Sequence, residues 1–508
     1  MKLILTTEQM RRADALAMDG GTSTFELMQR AGRAIADCVR KVTPDTGRMV
    51  IVAGGGNNGG DGYAAAAYLA EPNGRVTVVA LVDPAKLGEA AAEHARLAVQ
   101  AGVKIRLAAC SEQREVLSNW LSRAVMVVDA VFGTGLSRPL EGWMQEAVQM
   151  INASDRPVLA IDMASGIHSD NGHVMGAAVH ADWTLPIAAA KWGHWLAAGR
   201  LHGGEVLLPA DIGISQDMLE KVWSAEASGV GPAVLLEDEA MRASCCATHH
   251  AHKGSFGHVW IFGGSVGYSG APQLAATGAM AVHAGLVSII CPQEIWPTIA
   301  AASLETMVHP QHETTLQDGP WRNADALVAG PGWGGKQQQM LDILLTSDKR
   351  LLLDADALNM LAGDEALMSA ARNRKGETVF TPHPGEAARL LGWQTLQVQE
   401  ARPAALLELV KILNGWVVLK GAETLIASPD GRVWLCPFGN NRLATAGAGD
   451  VLSGMIAGLL AQGIDIQQAI AAAVVLHAKA GEGAGWHRAG QLADRVAGIR
   501  DTLCLACY

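Results

Sequence analysis

The chain has 508 residues, 49% of them hydrophobic and 18% charged, which is ample for two or more folded domains and too apolar for a disordered chain. Its net charge of −11, with no Lys/Arg-rich block, excludes a broad basic face for nucleic acid but leaves room for small phosphorylated ligands. No stretch is long and apolar enough to span a membrane, the start MKLILTTEQMRRADALAMDG is not a secretory leader, and eight scattered cysteines fit a reduced, cytoplasmic enzyme.

In chain order, residues 8–17 read as an amphipathic helix around Met10, Ala13, Leu16 and Ala17. A second helix spans 23–42, capped by Thr22 or Ser23 with Glu26 in its first turn. The apolar strand MVIVA at 49–53 enters the glycine-rich loop GGGNNGGDG at 54–62 and leaves through YAAAAYLA, a helix. Strand, glycine loop and helix in that order form the phosphate-binding arrangement of open α/β sheets. A turn in which Asn57, Asn58 and Asp61 satisfy their own backbone would look the same. Strands at 75–81 and 103–107 alternate with helices near 85–100 and 111–121.

The apolar strands at 125–128 and 158–161 end in Asp129 and Asp162, followed by AVFGTGLSRPL and MASGI. Carboxyl ends of parallel strands are where such sheets build sites. Asn58, Asp129, Asp162 and Ser165 are hard oxygen donors, suited to potassium or magnesium rather than zinc; each aspartate taken alone also suits a helix cap, a reading that three such loops together make weaker. A strand over 205–215 closes this pattern, and a mixed segment ending in Gly-Pro at 231–232 marks a joint.

GGGNNGGDG, DAVFGTGLSRPL, DMASGI and AAKWGH together resemble the N-terminal domain of the NAD(P)H-hydrate epimerase family, over roughly residues 1–215. The resemblance implies a Rossmann-like three-layer fold that binds hydrated NAD(P)H and potassium and interconverts the epimers at C6 of the hydrated nicotinamide ring. It puts substrate contacts on Asn57, Asn58, Gly59, Gly60 and Asp61, and on Gly133, Thr134, Gly135, Leu136, Ser137, Arg138 and Pro139. Asp162 becomes both a substrate contact and the acid–base group, and potassium falls to Asn58, Asp129 and Ser165. Ala164 stands where the family usually has proline, and Lys191 is given no role.

After the joint the plan restarts. Cys245, Cys246, His249, His250 and His252 crowd together before a strand, too closely spaced for a known zinc site, and Cys504 and Cys507 form a C-x-x-C without thioredoxin-like context. HVWIF at 258–262 is a strand, followed by GGSVGYSGAPQ and a small-residue helix. Further strands open into GPGWG at 330–334, Asp354-Ala-Asp356, TPHPGE at 381–386 and KGAET at 420–424. The most telling stretch is AGAGD at 446–450, an anion loop leading into an apolar helix. A carboxylate there repels phosphate, but it makes sense if Asp450 takes a proton from a hydroxyl that attacks the phosphate; a plain N-cap is the other reading.

GGS…SGAP, AGPG, DADALN, TPHPGE, KGAET and AGAGD resemble the ribokinase-like superfamily, and TPHPGE with KGAET narrows this to the ADP- or ATP-dependent NAD(P)H-hydrate dehydratases, over roughly residues 233–505. The resemblance implies that Lys420, Gly421, Ala422, Glu423, Thr424 and Gly449 hold ADP or ATP, that Ala271, Gly332, His383 and Asp450 contact the hydrated substrate, and that magnesium offsets phosphate charge. Ala446 and Ala448 depart from the family's usual Gly-Gly-Thr/Ser-Gly-Asp loop and remove one side-chain donor.

The expectation is therefore an α/β protein of two domains, an epimerase at 1–220 and a dehydratase at 221–508, that repairs hydrated NADH and NADPH with Asp162 and Asp450 as catalytic groups. Its partners are these small molecules, not nucleic acid or membrane, and a homo-oligomer is expected. The competing expectation is a kinase of a small alcohol such as a vitamin precursor, fused to a nucleotide-binding scaffold without catalysis.

Overall fold

The computed structural model describes residues 2–44, 46–70, 74–224, 233–245, 251–312, 317–483 and 488–505. Cys246, His249, His250 and Cys507 lie outside them. The chain divides into two compact units, Met1–Pro232 and Ala233–Tyr508.

Among the described residues of the first unit, seven parallel strands run in the order Lys104–Leu107, Val76–Ala80, Arg48–Ala53, Ala124–Ala130, Val158–Ile161, Trp183–Leu185, Glu205–Val206. Successive side chains of a strand point to opposite faces. Val50 and Val52 join Leu117, Leu121, Ala147 and Val148 from helices Arg114–Leu121 and Gly142–Ala153 on one face. On the other, helix Asn57–Leu69 packs against helices Thr24–Val42 and Glu89–Gln100. Beside this sheet, strand Leu3–Leu5 pairs in parallel with Ala190–Lys191 and leads through the Thr6 capping box into helix Thr7–Asp19.

Two expectations need correction. The strand over 205–215 is only Glu205–Val206; Pro209 and Gly213 interrupt the rest. The glycine loop is largely helix, because helix Asn57–Leu69 begins inside GGGNNGGDG with Gly56 as its cap. Glycine inside a helix costs about 1 kcal/mol against alanine. Here it permits close approach: a Cβ on Gly59 would collide with the Gly54 carbonyl, and one on Gly62 would lie 2.7 Å from the Ala130 Cβ.

Among the described residues of the second unit, ten strands run in the order Met307–Pro310, Leu286–Cys291, His258–Phe262, Ala326–Ala329, Arg350–Leu353, Thr378–Phe380, Trp416–Leu419, Leu425–Ala427, Val433–Leu435, Ala233–Leu235. All pair in parallel except Leu425–Ala427, which is antiparallel to both neighbours. Helix Ala448–Ala461 is apolar all round and buried nearly throughout, as the pattern requires. It packs closely on helix Gly270–Ala281, where Gly278 meets the Val451 carbonyl and Gly454 meets the Ala275 carbonyl.

Candidate active sites

In the first unit, strand ends and helix starts enclose a cavity of about 490 Å³. Asn57, Asn58, Asp61, Gly133, Thr134, Gly135 and Asp162 line it, joined by Asp14, Phe132 and Lys191, to which the sequence reading gave no part. Asp162 follows strand Val158–Ile161 with φ 64°, a left-handed conformation that aspartate tolerates better than most residues. Its Oδ2 accepts the Thr134 N–H and its Oδ1 the Ile187 N–H, each at 3.2 Å, and Oδ1 is also bound by the Lys191 ammonium. Burial pulls this carboxyl upward, but the Lys191 charge and hydrogen bond, helped by His194 and the Ile187 N–H, outweigh it and hold Asp162 below its ordinary value.

Beneath Asp162, His194 Nδ1 accepts the Lys191 backbone N–H at 2.9 Å, so Nε2 carries the proton it donates to the Asp162 carbonyl at 2.6 Å. Burial and the adjacent Lys191 push this imidazole down to about 4, so it is neutral. Asp61 is driven well up by burial, with Asp162 and Asp14 adding to it.

Asp129 is not a helix cap. Its Oδ2 accepts the Ser165 N–H at 2.8 Å, and its Oδ1 accepts the Ser165 hydroxyl at 2.6 Å and the Val131 N–H at 3.2 Å. Ser165 Oγ also accepts the Phe132 N–H at 2.8 Å, so its loop is tied down with Ala164 buried beside it. Gly59, Gly60 and Leu136 are buried against the core and Ser137, Arg138 and Pro139 are exposed; none of the six lines the cavity.

In the second unit the site forms where strands Arg350–Leu353 and Trp416–Leu419 end against the start of helix Ala448–Ala461. Lys420 Nζ donates to Asp354 Oδ1 at 2.7 Å, and Asp354 Oδ2 accepts the Ser453 hydroxyl at 2.6 Å. Gly449 comes so near that a Cβ on it would lie 3.2 Å from Lys420 Nζ. Gly447 is the N-cap and Asp450 sits in the first turn, so the cap reading of Asp450 does not hold. Burial and then Asp354 push Asp450 up to about 7 against the pull of Lys420. Burial likewise pushes Glu386 up to about 7, opposed by Lys420 and reinforced by Asp354.

His383 caps helix Pro384–Leu391: its Nδ1 accepts the Gly385 N–H at 2.9 Å, and its own N–H donates to Glu386 Oε2 at 2.8 Å. Burial, then Lys420, lowers its pKa. Gly332, at φ 63°, sits against Ala271, since a Cβ on it would fall 2.9 Å from the Ala271 Cβ. Gly421 and Ala422 are exposed, Thr424 Oγ1 donates to the Gly421 carbonyl at 3.3 Å, and Glu423 is buried. Two supporting residues were missed. Buried Arg402 donates to the carbonyls of Leu419, Lys420 and Glu423 and so shapes the KGAET turn, and buried His477 donates to the Ala448 carbonyl at 2.9 Å. Both are long-range partners with no local motif.

Two family models match, NAD(P)H-hydrate dehydratase over residues 259–497 and YjeF-related protein N-terminus over residues 24–193. The bifunctional NAD(P)H-hydrate repair enzyme Nnr of Coxiella burnetii is 34% identical over 95% of this chain and 95% of its own. The enzyme of that name from Escherichia coli is 31% identical over 94% and 88%. Among solved structures, an ADP/ATP-dependent NAD(P)H-hydrate dehydratase from Bacillus subtilis, co-crystallised with ATP/Mg2+, is 30% identical and covers 55% of this chain and 100% of its own, with a TM-score of 0.46.

Proposed function

The chain belongs to the family of bifunctional NAD(P)H-hydrate repair enzymes, which join an NAD(P)HX epimerase to an ADP- or ATP-dependent NAD(P)HX dehydratase, and from that premise we propose which residues do the work. Epimerisation belongs to residues 1–220, in the cavity at Asp162, and dehydration to 221–508, around Lys420 and Asp450. The observation that carries the second assignment is Asp450, pushed up to about 7 in the first turn of helix Ala448–Ala461, where Gly449 packs against the Lys420 ammonium.

A carboxyl poised near neutrality suits a general base. Asp450 takes the proton of the C6 hydroxyl as that oxygen attacks the terminal phosphorus of ADP or ATP. The P–O bond to the departing nucleotide breaks, and Lys420 with the Gly449 backbone steadies the transferred group. Loss of the phosphate with a proton from the ring restores the dihydropyridine. The nucleotide is held by Lys420, Gly421, Ala422, Glu423, Thr424 and Gly449, and the substrate by Ala271, Gly332, His383 and Asp450.

Magnesium fits the carboxylate excess here, since Asp354, Glu386 and Asp450 share one ammonium; Glu386 would hold it together with the nucleotide's phosphates, whose charge it would offset. Potassium fits the first site. Both polar atoms of the buried Asn58 side chain lack a hydrogen-bond partner among the described residues, and burial pushes Asp129 up to about 6 despite its hydrogen bonds from Ser165 and Val131. Asn58, Asp129 and Ser165 would hold the ion, which would supply positive charge beside the substrate. Substrate contacts in that cavity comprise Asn57, Asn58, Asp61, Gly133, Thr134, Gly135 and Asp162, with Gly59, Gly60 and residues 136–139 supporting their loops.

The assignment is tested by separating the activities. Asp162→Asn is expected to abolish epimerisation while dehydration of the S epimer persists, and Asp450→Asn to do the reverse. Loss of both activities in either folded variant would refute it. No helix among the described residues is long and apolar enough to cross a membrane. A cytoplasmic setting and a homo-oligomer complete the proposal, the latter checked by light scattering.

A further inference from the structure

Asp14 is the acid that helix Thr7–Asp19 turns toward the cavity. In helix Thr7–Asp19, Met10, Ala13 and Ala17 are buried, and the i, i+4, i+8 spacing sets Met10, Asp14 and Met18 in one row. All three line the cavity that holds Asp162. The placement follows from the fold: Leu5 pairs with Lys191 in the small parallel ladder, and the chain then turns at Thr6 into this helix. The two partners in the Lys191–Asp162 ion pair and the Asp14 helix are thus anchored to one another. Among the described residues, the Asp14 carboxyl oxygens have no hydrogen-bond or ion-pair partner, so they are free to meet a ligand in the cavity.

Resting on the epimerase reading of this cavity, we propose that Asp14 is the second acid–base group of the epimerisation, giving a proton to the ring nitrogen while Asp162 takes one from the ring hydroxyl. C6 of the hydrated ring bears both the hydroxyl and N1, so it is a hemiaminal. Inversion by ring opening breaks the C6–N1 bond. The O–H proton goes to Asp162, the oxygen's electron pair forms C6=O, and the C6–N1 pair goes to N1, which takes the Asp14 proton. Rotation about C5–C6 turns the other carbonyl face to N1. Closure runs the same transfers backwards, returning each proton to its donor. Nothing is oxidised or reduced, and no co-reactant enters.

Two carboxyls in one cavity divide such work when their surroundings differ. Asp162 is held ionised by Lys191. Asp14 is pushed up to about 6 by burial, with Lys191 opposing and Asp162 reinforcing the shift. Asp61, Asp162 and Lys191 line the same cavity from other elements, and Arg11 lines it from the helix that carries Asp14. At neutral pH about a tenth of the molecules then carry the proton on Asp14.

The test uses the full chain, purified R-NADHX and no nucleotide, with S-NADHX followed by chromatography and corrected for the spontaneous rate. Asp14→Asn is expected to lower kcat about a hundredfold or more with little change in KM. In the wild type, kcat/KM is expected to fall above about pH 6, and Asp14→Asn to flatten that fall. Asp14→Glu is expected to recover part of the rate. Hydrogen exchange of peptides covering Val158–Ile161 in the same preparations reports whether the first unit is folded. A loss confined to KM, or a wild-type profile that does not fall above pH 6, overturns the role of Asp14. If Asp162→Asn also leaves epimerisation unchanged, the reading of the cavity itself fails; if only Asp14→Asn is silent, that reading stands and this inference alone falls.

Discussion

Replacing Lys191 by methionine keeps the side-chain length and removes the ammonium that neutralises Asp162. Lys191 is 1% exposed and donates both to Asp162 and, at 2.8 Å, to the Ile187 carbonyl. Without it Asp162 keeps only two backbone N–H contacts, at 3.2 Å each. Breaking a buried pair from one side costs about 3–5 kcal/mol, because a charge is left uncompensated. The cost depends on pH with a definite sign. In the wild type the folded pKa of Asp162 lies below its unfolded value, so the carboxylate contributes stability above the unfolded pKa and loses it as pH falls through the folded one. In the variant, burial, the largest influence on this group, is no longer opposed by Lys191, and the folded pKa moves above the unfolded one. Stability then falls as pH rises between the two, by about 1.4 kcal/mol per unit. Hydrogen exchange of peptides covering Val158–Ile161 and Trp183–Leu185, measured in the full chain at pH 6 and pH 8, reads this directly. A loss of about 3 kcal/mol speeds exchange roughly 150-fold at the higher pH, with a smaller effect at the lower. Less than a tenfold change at pH 8, or an equal change at both, would show that Lys191 does not neutralise a buried Asp162.

Other predictions follow from the second unit. Asp450→Asn is expected to slow dehydration by about 10²–10⁴-fold with substrate binding retained. Because the base must be ionised, the wild-type dehydration rate rises with pH and levels off above about 7; a flat profile would count against Asp450. Lys420→Met is expected to weaken nucleotide binding about ten- to a hundredfold by titration calorimetry, and an unchanged Kd would remove Lys420 from the nucleotide site. Gly454→Ala drives a methyl group into the Ala275 carbonyl and is expected to destabilise the fold by about 1–3 kcal/mol, seen as a lowered Tm of dehydratase inactivation.

The sequence reading succeeded where chemistry is carried by short, contiguous motifs. The strands at 49–53, 158–161 and 258–262, and Asp162 at the end of the second, were legible because apolar runs bounded by glycine or aspartate have few other uses in an α/β chain. The loop at 54–62 was misread because its glycines serve close packing rather than bending, and only the fold reveals Gly54 and Ala130 beside them. Lys191 was visible, but its partner Asp162 is 29 positions away. Arg402 and His477 work on backbone carbonyls, which leave no pattern in the side-chain sequence. Asp14 looked like one more polar residue of an amphipathic helix until its row proved to face a cavity.

The most direct test of the whole account is to incubate the protein with a mixture of NADHX epimers, ADP and magnesium, and to follow the absorbance of NADH to completion. NADH is expected to be recovered from both epimers. Recovery from the S epimer alone would contradict the role given to the first unit, and no recovery by folded protein would contradict the role given to the second.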